Sequence, residues 1–180
     1  RTSITNENDL VRYFGKPDDT TAEWFLTAAN YLGYSNNLLV VRNVLTSARN
    51  SVVGDGGTAG TALQVHNGLD YDSKVSAMSD QMFVAKYPGA LGNSLKVHAI
   101  DGHGWAATMT AGSDAEKLQK IFKSSFDRAP GTSTDVATAG GSDDEMHVIV
   151  IDEFGLWTGM PGEVIETHGF ISKALDARRI

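Results

Sequence analysis

Lys86-Tyr87-Pro88-Gly89-Ala90-Leu91-Gly92-Asn93-Ser94-Leu95-Lys96-Val97 is a turn made of backbone-special residues that feeds a strand. Pro88 fixes its own φ and Gly89 permits positive φ, which suits a tight turn. Gly92-Asn93 offers a second turn directly afterwards. Downstream, Leu95, Val97 and Ala99 alternate with Lys96 and His98, the pattern of a half-buried strand. Upstream, Met82-Phe83-Val84-Ala85 reads as the strand that leads in. The stretch specifies the path of the main chain and carries no obvious chemistry.

Working outward, a first helix begins after Thr5 or Asn6, carries Leu10, Val11 and Phe14, and stops at Gly15 and Pro17. A capping box at Thr20 and Glu23 starts a second helix, with Trp24, Phe25, Ala28, Ala29, Tyr31 and Leu32 read as its core stripe. Leu38-Leu39-Val40-Val41 is apolar on both faces and reads as an interior strand. Ser47 to Ala62 reads as a loop, and Lys74 to Ser79 as a short helix. Trp105 to Ala111 is expected to return as a strand through the Asp101-Gly102-His103-Gly104 turn. Ser113 and Glu116 form another capping box, ahead of Leu118, Ile121, Phe122 and Phe126. Ala129 to Glu145 reads as a long loop. Met146 to Ile151 is the most hydrophobic strand, buried on both faces. Turns at Asp152-Glu153-Phe154-Gly155 and Met160-Pro161-Gly162 then lead to a return strand over Glu163 to Phe170. The expected class is α+β, with mixed or antiparallel sheets in a layered sandwich flanked by several short helices. No repeat of fixed period is visible.

The 180 residues fit one domain, with a loop or small insertion near 46–71 and a long loop near 129–145. With 41% hydrophobic and 21% charged residues the composition is that of a globular chain able to bury a core. A net charge of −7 argues against a nucleic-acid partner and against an anionic membrane surface. No apolar run is long enough for membrane insertion as a helix. The absence of cysteine excludes disulfides and thiolate metal sites.

Few constellations invite chemistry. Gly54 to Gly60 is glycine-rich, but it lacks the Gly-Lys-Ser/Thr ending of a phosphate loop, and Asp55 would repel phosphate. Asp152-Glu153 ends a buried strand, where paired carboxylates can share acid and base roles. The plainer reading is a solvated turn in which Asp152 bonds its own backbone and Gly155 takes positive φ. His98 and His103 could meet across a hairpin, and His147 reads as a surface partner of Glu145. No Gly-x-Ser-x-Gly elbow appears. Trp105 and Trp157, each beside a turn, read either as contact anchors or as lids over a sheet edge. No catalytic, cofactor-binding or metal residue is assigned, and no cofactor is expected.

Two further stretches are built like the first. One is Thr5-Asn6-Glu7-Asn8-Asp9-Leu10-Val11-Arg12-Tyr13-Phe14-Gly15-Lys16-Pro17. The other runs from Met146 through Asp152-Glu153-Phe154-Gly155-Leu156-Trp157-Thr158-Gly159-Met160-Pro161-Gly162 to Lys173. In this order the three resemble the contractile tail sheath protein of myovirus-type bacteriophages, from about Thr5 to Arg178 and less so across Leu45–Tyr71 and Ala111–Glu145. The resemblance implies a structural, non-enzymatic subunit. It would polymerise with copies of itself as stacked six-membered rings around a tail tube and contract to drive the tube through the bacterial envelope. Tube and baseplate would be met through regions outside this chain, in a virion tail assembled in the host cytoplasm. Sheath proteins are several hundred residues long, and this chain starts at Arg1 and ends at Arg178-Arg179-Ile180. The resemblance therefore implies the amino-terminal, outer or middle part of a longer subunit, moving as a stiff block. On this reading Tyr87, Pro88, Gly89, Gly92, Asn93, Asp152, Glu153, Gly155, Pro161 and Gly162 shape the main chain, and Trp105 and Trp157 are candidate interface anchors. The competing expectations are a small α/β hydrolase or glycan-active domain using Asp152 and Glu153, and a decoration or adhesion domain on a particle surface.

Overall fold

The computed structural model describes residues 2–54 and 60–174. The glycine-rich stretch inside Gly54–Gly60 and the ending Arg178-Arg179-Ile180 lie outside the described residues. The chain divides into two compact units, Arg1–Leu95 with Asp152–Glu163, and Lys96–Ile151 with Val164–Ile180. All sheets are small and antiparallel, which bears out the α+β class.

In the first unit, β1 (Thr2–Ile4) pairs with β2 (Leu38–Val40), Ile4 opposite Leu38. Helix α1 (Glu7–Phe14) begins at Asn6, whose side chain accepts from the Asp9 N–H at 2.9 Å. The Asp9 carboxylate reaches back to accept from the Thr5 hydroxyl at 2.6 Å, so the start of α1 is capped from both directions. Helix α2 (Ala22–Leu32) is not started by the expected Thr20–Glu23 box. Asp18 takes that role: one carboxylate oxygen accepts from the N–H groups of Thr20 and Thr21 at 2.9 and 2.8 Å and from both hydroxyls. A carboxylate is the stronger acceptor, and the bonds led by the Thr20 hydroxyl hold its pKa at about 2.

Ile4, Leu10 and Phe25 make the buried centre, with Ala28, Ala29, Leu32, Leu38 and Val40 around it. Two expected core aromatics lie outside it: Trp24 is 76% exposed and Tyr31 47%. The buried stripe of α2 follows Phe25, Ala29 and Leu32, and each residue step turns the helix by about 100°, which carries Trp24 off that face. Nor is β2 an interior strand. It is half of a two-stranded sheet, and Leu39 and Val41 are exposed because no layer covers their side.

The expected loop at Ser47–Ala62 contains strand β3 (Asn50–Gly54), paired with β4 (Gln81–Pro88), Asn50 opposite Pro88 and Val52 opposite Val84. Asn50 is buried and fully used. It donates to the carbonyls of Val65 and Ala85 at 3.1 and 2.8 Å and accepts from the Val65 N–H at 2.7 Å. Helix α3 spans Gly68–Lys74, earlier than expected, and runs into a 3-10 turn at Val75–Ala77. Gly89 takes φ 126° and opens a 3-10 turn at Ala90–Ser94, as the Tyr-Pro-Gly reading requires.

The second unit holds β5 (Leu95–Asp101), β6 (Glu145–Asp152) and β7 (Glu163–Ser172) in the order β5-β6-β7. The central β6 is buried along most of its length, as its composition demands. The strand expected at Trp105–Ala111 is absent. The Asp101 carboxylate accepts from the Gly104 N–H at 2.9 Å and starts helix α4 (Gly102–Ala106) instead. That helix keeps His98 and His103 from facing each other across a hairpin, and no group able to hold a metal ion occurs among the described residues. Helix α5 (Asp114–Ser125) starts at Ser113 as expected. Its buried Gln119 donates to the carbonyls of Gly104 and Ala107, both at 2.8 Å, and so closes the end of α4. The long loop before β6 carries a short helix α6 (Thr134–Thr138). Phe122, Ile149 and Ile151 form the core, with Ile100, Trp105, Leu118 and Phe126 around them. Full burial of Phe122 contributes about 2–3 kcal/mol.

His147 is not a surface partner of Glu145; it is fully buried. Its ring stacks on Phe126 at a centroid distance of 4.0 Å and meets Phe170 edge-on at 4.6 Å. Nε2 lies 2.9 Å from the Arg128 carbonyl and Nδ1 is 3.1 Å from the Phe170 N–H. These partners put the hydrogen on Nε2 and leave the Nδ1 lone pair to accept. Phe170, at φ 55°, is held in a conformation rare for a side-chain-bearing residue. Replacing His147 with Phe keeps the ring but strands a carbonyl and an N–H. We expect a loss of about 2–4 kcal/mol, read as a shifted urea unfolding midpoint; an unchanged midpoint would contradict the assignment.

Candidate functional site

In the first unit the parts of the three resemblance-bearing stretches that it contains, Thr5–Pro17, Lys86–Leu95 and Asp152–Gly162, fold against one another. Their centre is Ser94 and Asp152, both fully buried. The Ser94 hydroxyl donates to Asp152 Oδ1 and accepts from the Phe154 N–H at 3.2 Å. The Ser94 carbonyl accepts from the Glu153 N–H at 2.7 Å. Asp152 Oδ2 accepts from the N–H groups of Trp157 and Thr158 at 2.9 and 2.8 Å and from the Thr158 hydroxyl at 3.1 Å. The Asp152 carbonyl accepts from Gly162 N–H at 2.8 Å and closes the loop from 152 to 162. Inside that loop Gly155 takes φ 73°, and a Cβ there would lie 2.8 Å from the Pro161 nitrogen. Only glycine meets both conditions.

Burial is the largest single influence on the Asp152 carboxyl and pushes its pKa up. The hydrogen bonds from Ser94, Thr158 and Trp157 together outweigh burial and hold the group below the ordinary carboxylate range. All these partners are neutral.

The other contacts join the same three stretches. The Trp157 indole N–H donates to the Leu91 carbonyl at 3.0 Å, and the ring is half-buried. A Cβ on Gly15 would meet the Leu91 side chain at 2.9 Å, and one on Gly159 would land on the Lys16 side chain. Gly92 is buried against Ser51 and Ala85, and Asn93 accepts from the Ser51 hydroxyl at 2.5 Å. Pro88 is buried at the end of β4. Trp105 stands apart, half-buried against the core of the second unit.

Next to this junction is a cleft of about 450 Å³ lined by Tyr13, Phe14, Arg42, Val44, Lys86 and Tyr87 among others. Arg42 donates to the Tyr13 carbonyl at 2.7 Å, and its guanidinium lies 4.3 Å from the Tyr87 ring centre and 5.2 Å from that of Phe14. Burial lowers its pKa, and Tyr87 acts in the opposite direction.

The arrangement around Asp152 offers shape rather than reactivity. The Asp152 carboxylate is fully buried and both its oxygens accept hydrogen bonds from the chain. No histidine belongs to the junction. Sequence reading missed Ser94, Asn50 and Arg42. Ser94 looked like one more turn residue, Asn50 sat in a stretch read as loop, and Arg42 followed an apolar run with nothing to mark it.

No family model matches the chain, and no solved structure matches it. Curated proteins do. The chain is similar to the tail sheath protein of Salmonella phage ViI, 32% identical over 159 residues, covering 88% of this chain and 21% of that protein. It is similar to the tail sheath protein of Vibrio phage KVP40, 40% identical over 70 residues, 39% of this chain and 9% of the other. The tail sheath protein of Enterobacteria phage T4 is 31% identical over 105 residues, 56% of this chain and 14% of its own length. The chain thus spans about a fifth of the length of the first of these relatives. The resemblance drawn from the three stretches is borne out.

Asp152→Asn would turn an amide NH2 toward donors, either the Ser94 hydroxyl or the N–H groups of Trp157 and Thr158. The expected cost is about 2–4 kcal/mol. Because the folded pKa is depressed, the carboxylate's contribution is complete above its unfolded value of about 3.9 and is lost as pH falls through the lower folded value. Chemical denaturation between neutral and acidic pH should show the wild type losing stability in that window and the variant losing less. Parallel profiles would refute the assignment.

Proposed function

We propose that this chain is part of a structural subunit of a contractile phage tail sheath. The observation that carries the reading is the match of 159 residues to a tail sheath protein at 32% identity. The subunit stacks with copies of itself as six-membered rings around a tail tube, and the stack contracts to drive the tube through the bacterial envelope. Tube and baseplate are met through parts of the subunit beyond this chain. The site of action is the virion tail, and assembly takes place in the host cytoplasm. The role is structural and not enzymatic.

The distribution of apolar surface supports self-association. Apart from Phe170, the large apolar residues exposed among the described residues belong to the first unit, among them Trp24 at 76% and Tyr34 at 94%. These exposed side chains are available for contact with other chains. The interlocked turns support a mechanical role. A junction held by the buried Ser94–Asp152 hydrogen bond and the N–H groups around it resists deformation. Contraction then repositions the first unit as one body, and connecting segments absorb the change.

Electron microscopy of the full-length purified protein tests the assembly reading. Tubes of constant width are expected, and a protein that stays as discrete particles under every assembly condition overturns it. Comparing this region in extended and contracted particles tests the mechanics. The Ser94–Asp152 and Trp157–Leu91 contacts should persist in both states, and loss of either on contraction would reject the rigid-body account.

A further inference from the structure

We propose that the cleft beside Tyr87 is a binding site for an acidic side chain presented by a second copy of this chain. The inference rests on the sheath reading and adds to it the chemistry of one contact. The cleft is separate from the Ser94–Asp152 junction, and none of the contacts described there uses it.

Two cations border the cleft without an acid. Neither Arg42 nor Lys86 belongs to the ion pairs seen among the described residues. Arg42 is half-buried and gives one bond to the Tyr13 carbonyl. A guanidinium has five N–H donors in a fixed fork, so most of its donor capacity remains open. The Tyr87 and Phe14 rings hold it from the side, which removes rotamer freedom before any partner arrives. Lys86, the residue before Tyr87 on β4, is exposed and puts its ammonium 5.5 Å from the same ring. A partly desolvated cation is favourable only when a counter-charge completes it. A carboxylate, able to accept two parallel bonds from the fork, matches that need.

Charge complementarity points to a second copy. The chain carries a net charge of −7, so another copy presents mostly acid to a basic cleft. Glu7, Asp19 and Glu23 are exposed in the first unit and have no cation partner among the described residues. Glu23 is followed by the exposed Trp24, about 100° further round the same helix, so both lie on the solvent side of α2. A site with two cations and three aromatic rings suits that pair, and Glu23 with Trp24 is the first candidate occupant. Because cleft and occupant are different patches of one chain, the contact is head-to-tail, which builds rings or open helices rather than closed pairs.

The test uses the full-length protein assembled from equal amounts of ordinary and 15N-labelled chains. A zero-length carbodiimide reagent joins the Lys86 amine to any carboxylate in direct contact. Mass spectrometry should find Lys86 joined to an Asp or Glu peptide in mixed-isotope pairs, present in tubes and absent from unassembled protein. Lys86→Glu should raise the concentration needed for tube formation at least about tenfold while leaving the thermal unfolding midpoint unchanged. Tubes in which Lys86 is unlinked, linked only within one copy, or linked to a different protein overturn the site and leave the sheath reading standing. Tubes of Lys86→Glu forming at the wild-type concentration do the same. Wild-type protein that never assembles overturns both.

Discussion

A carboxylate removed from water and answered only by neutral donors sets the terms for the first unit. Asp152 is stable in its buried place because Ser94, Trp157 and Thr158 each aim a hydrogen at it. None of those donors could be there unless the chain turned sharply on both sides. The turn after Pro88 brings Ser94 in, and the loop from 152 to 162 brings the two N–H groups. Burying an ionised group without its bonds would cost far more than a small core could return. The hydrogen bonds and the turns therefore require each other, and the glycines and prolines of both stretches follow from that requirement.

The same logic recurs at smaller scale. Among the described residues each unit has a handful of buried apolar side chains, and the buried polar residues inserted between them are hydrogen-bonded. Asn50 ties β3 to Val65 and Ala85, Gln119 closes α4, and His147 bridges Arg128 and Phe170. Such groups add less net stability than apolar packing, but a misplaced partner leaves them unsatisfied, so they favour one arrangement over near alternatives. That selectivity favours a single shape for each unit.

Much of this was legible in the sequence, because turns and caps announce themselves locally. The start of α1 at Asn6, the start of α5 at Ser113, the buried character of β6 and positive φ at Gly89 and Gly155 all follow from residue type and spacing. What was not legible depends on distant partners. Thr20 and Glu23 have the spacing of a capping box, but Asp18, two residues upstream, takes the Thr20 N–H and hydroxyl and the Thr21 N–H instead. Asp101 starts a helix where the Asp101-Gly102-His103-Gly104 turn was expected to lead into a strand. Trp24 and His147 show the limit from opposite sides. An aromatic ring at helical spacing ended up in solvent, and a histidine in a strand became the centre of a ring cluster, because composition does not tell which face will be covered. The candidate site was half visible: Asp152 and the glycines around it stood out, whereas the serine that completes the junction was hidden among ordinary turn residues.

The placing of the three indoles gives this chain built-in optical reporters. Trp24 faces water, Trp157 is tied by its N–H to the Leu91 carbonyl, and Trp105 leans on the core of the other unit. Trp24 is far more exposed than the half-buried Trp105 and Trp157, so its emission is expected at longer wavelength than theirs. A neighbour arriving over α2 would blue-shift the first and leave the others alone, whereas loosening of either unit would red-shift its own ring. Association and unfolding thus write separate spectral signatures in the same molecule, without an added dye.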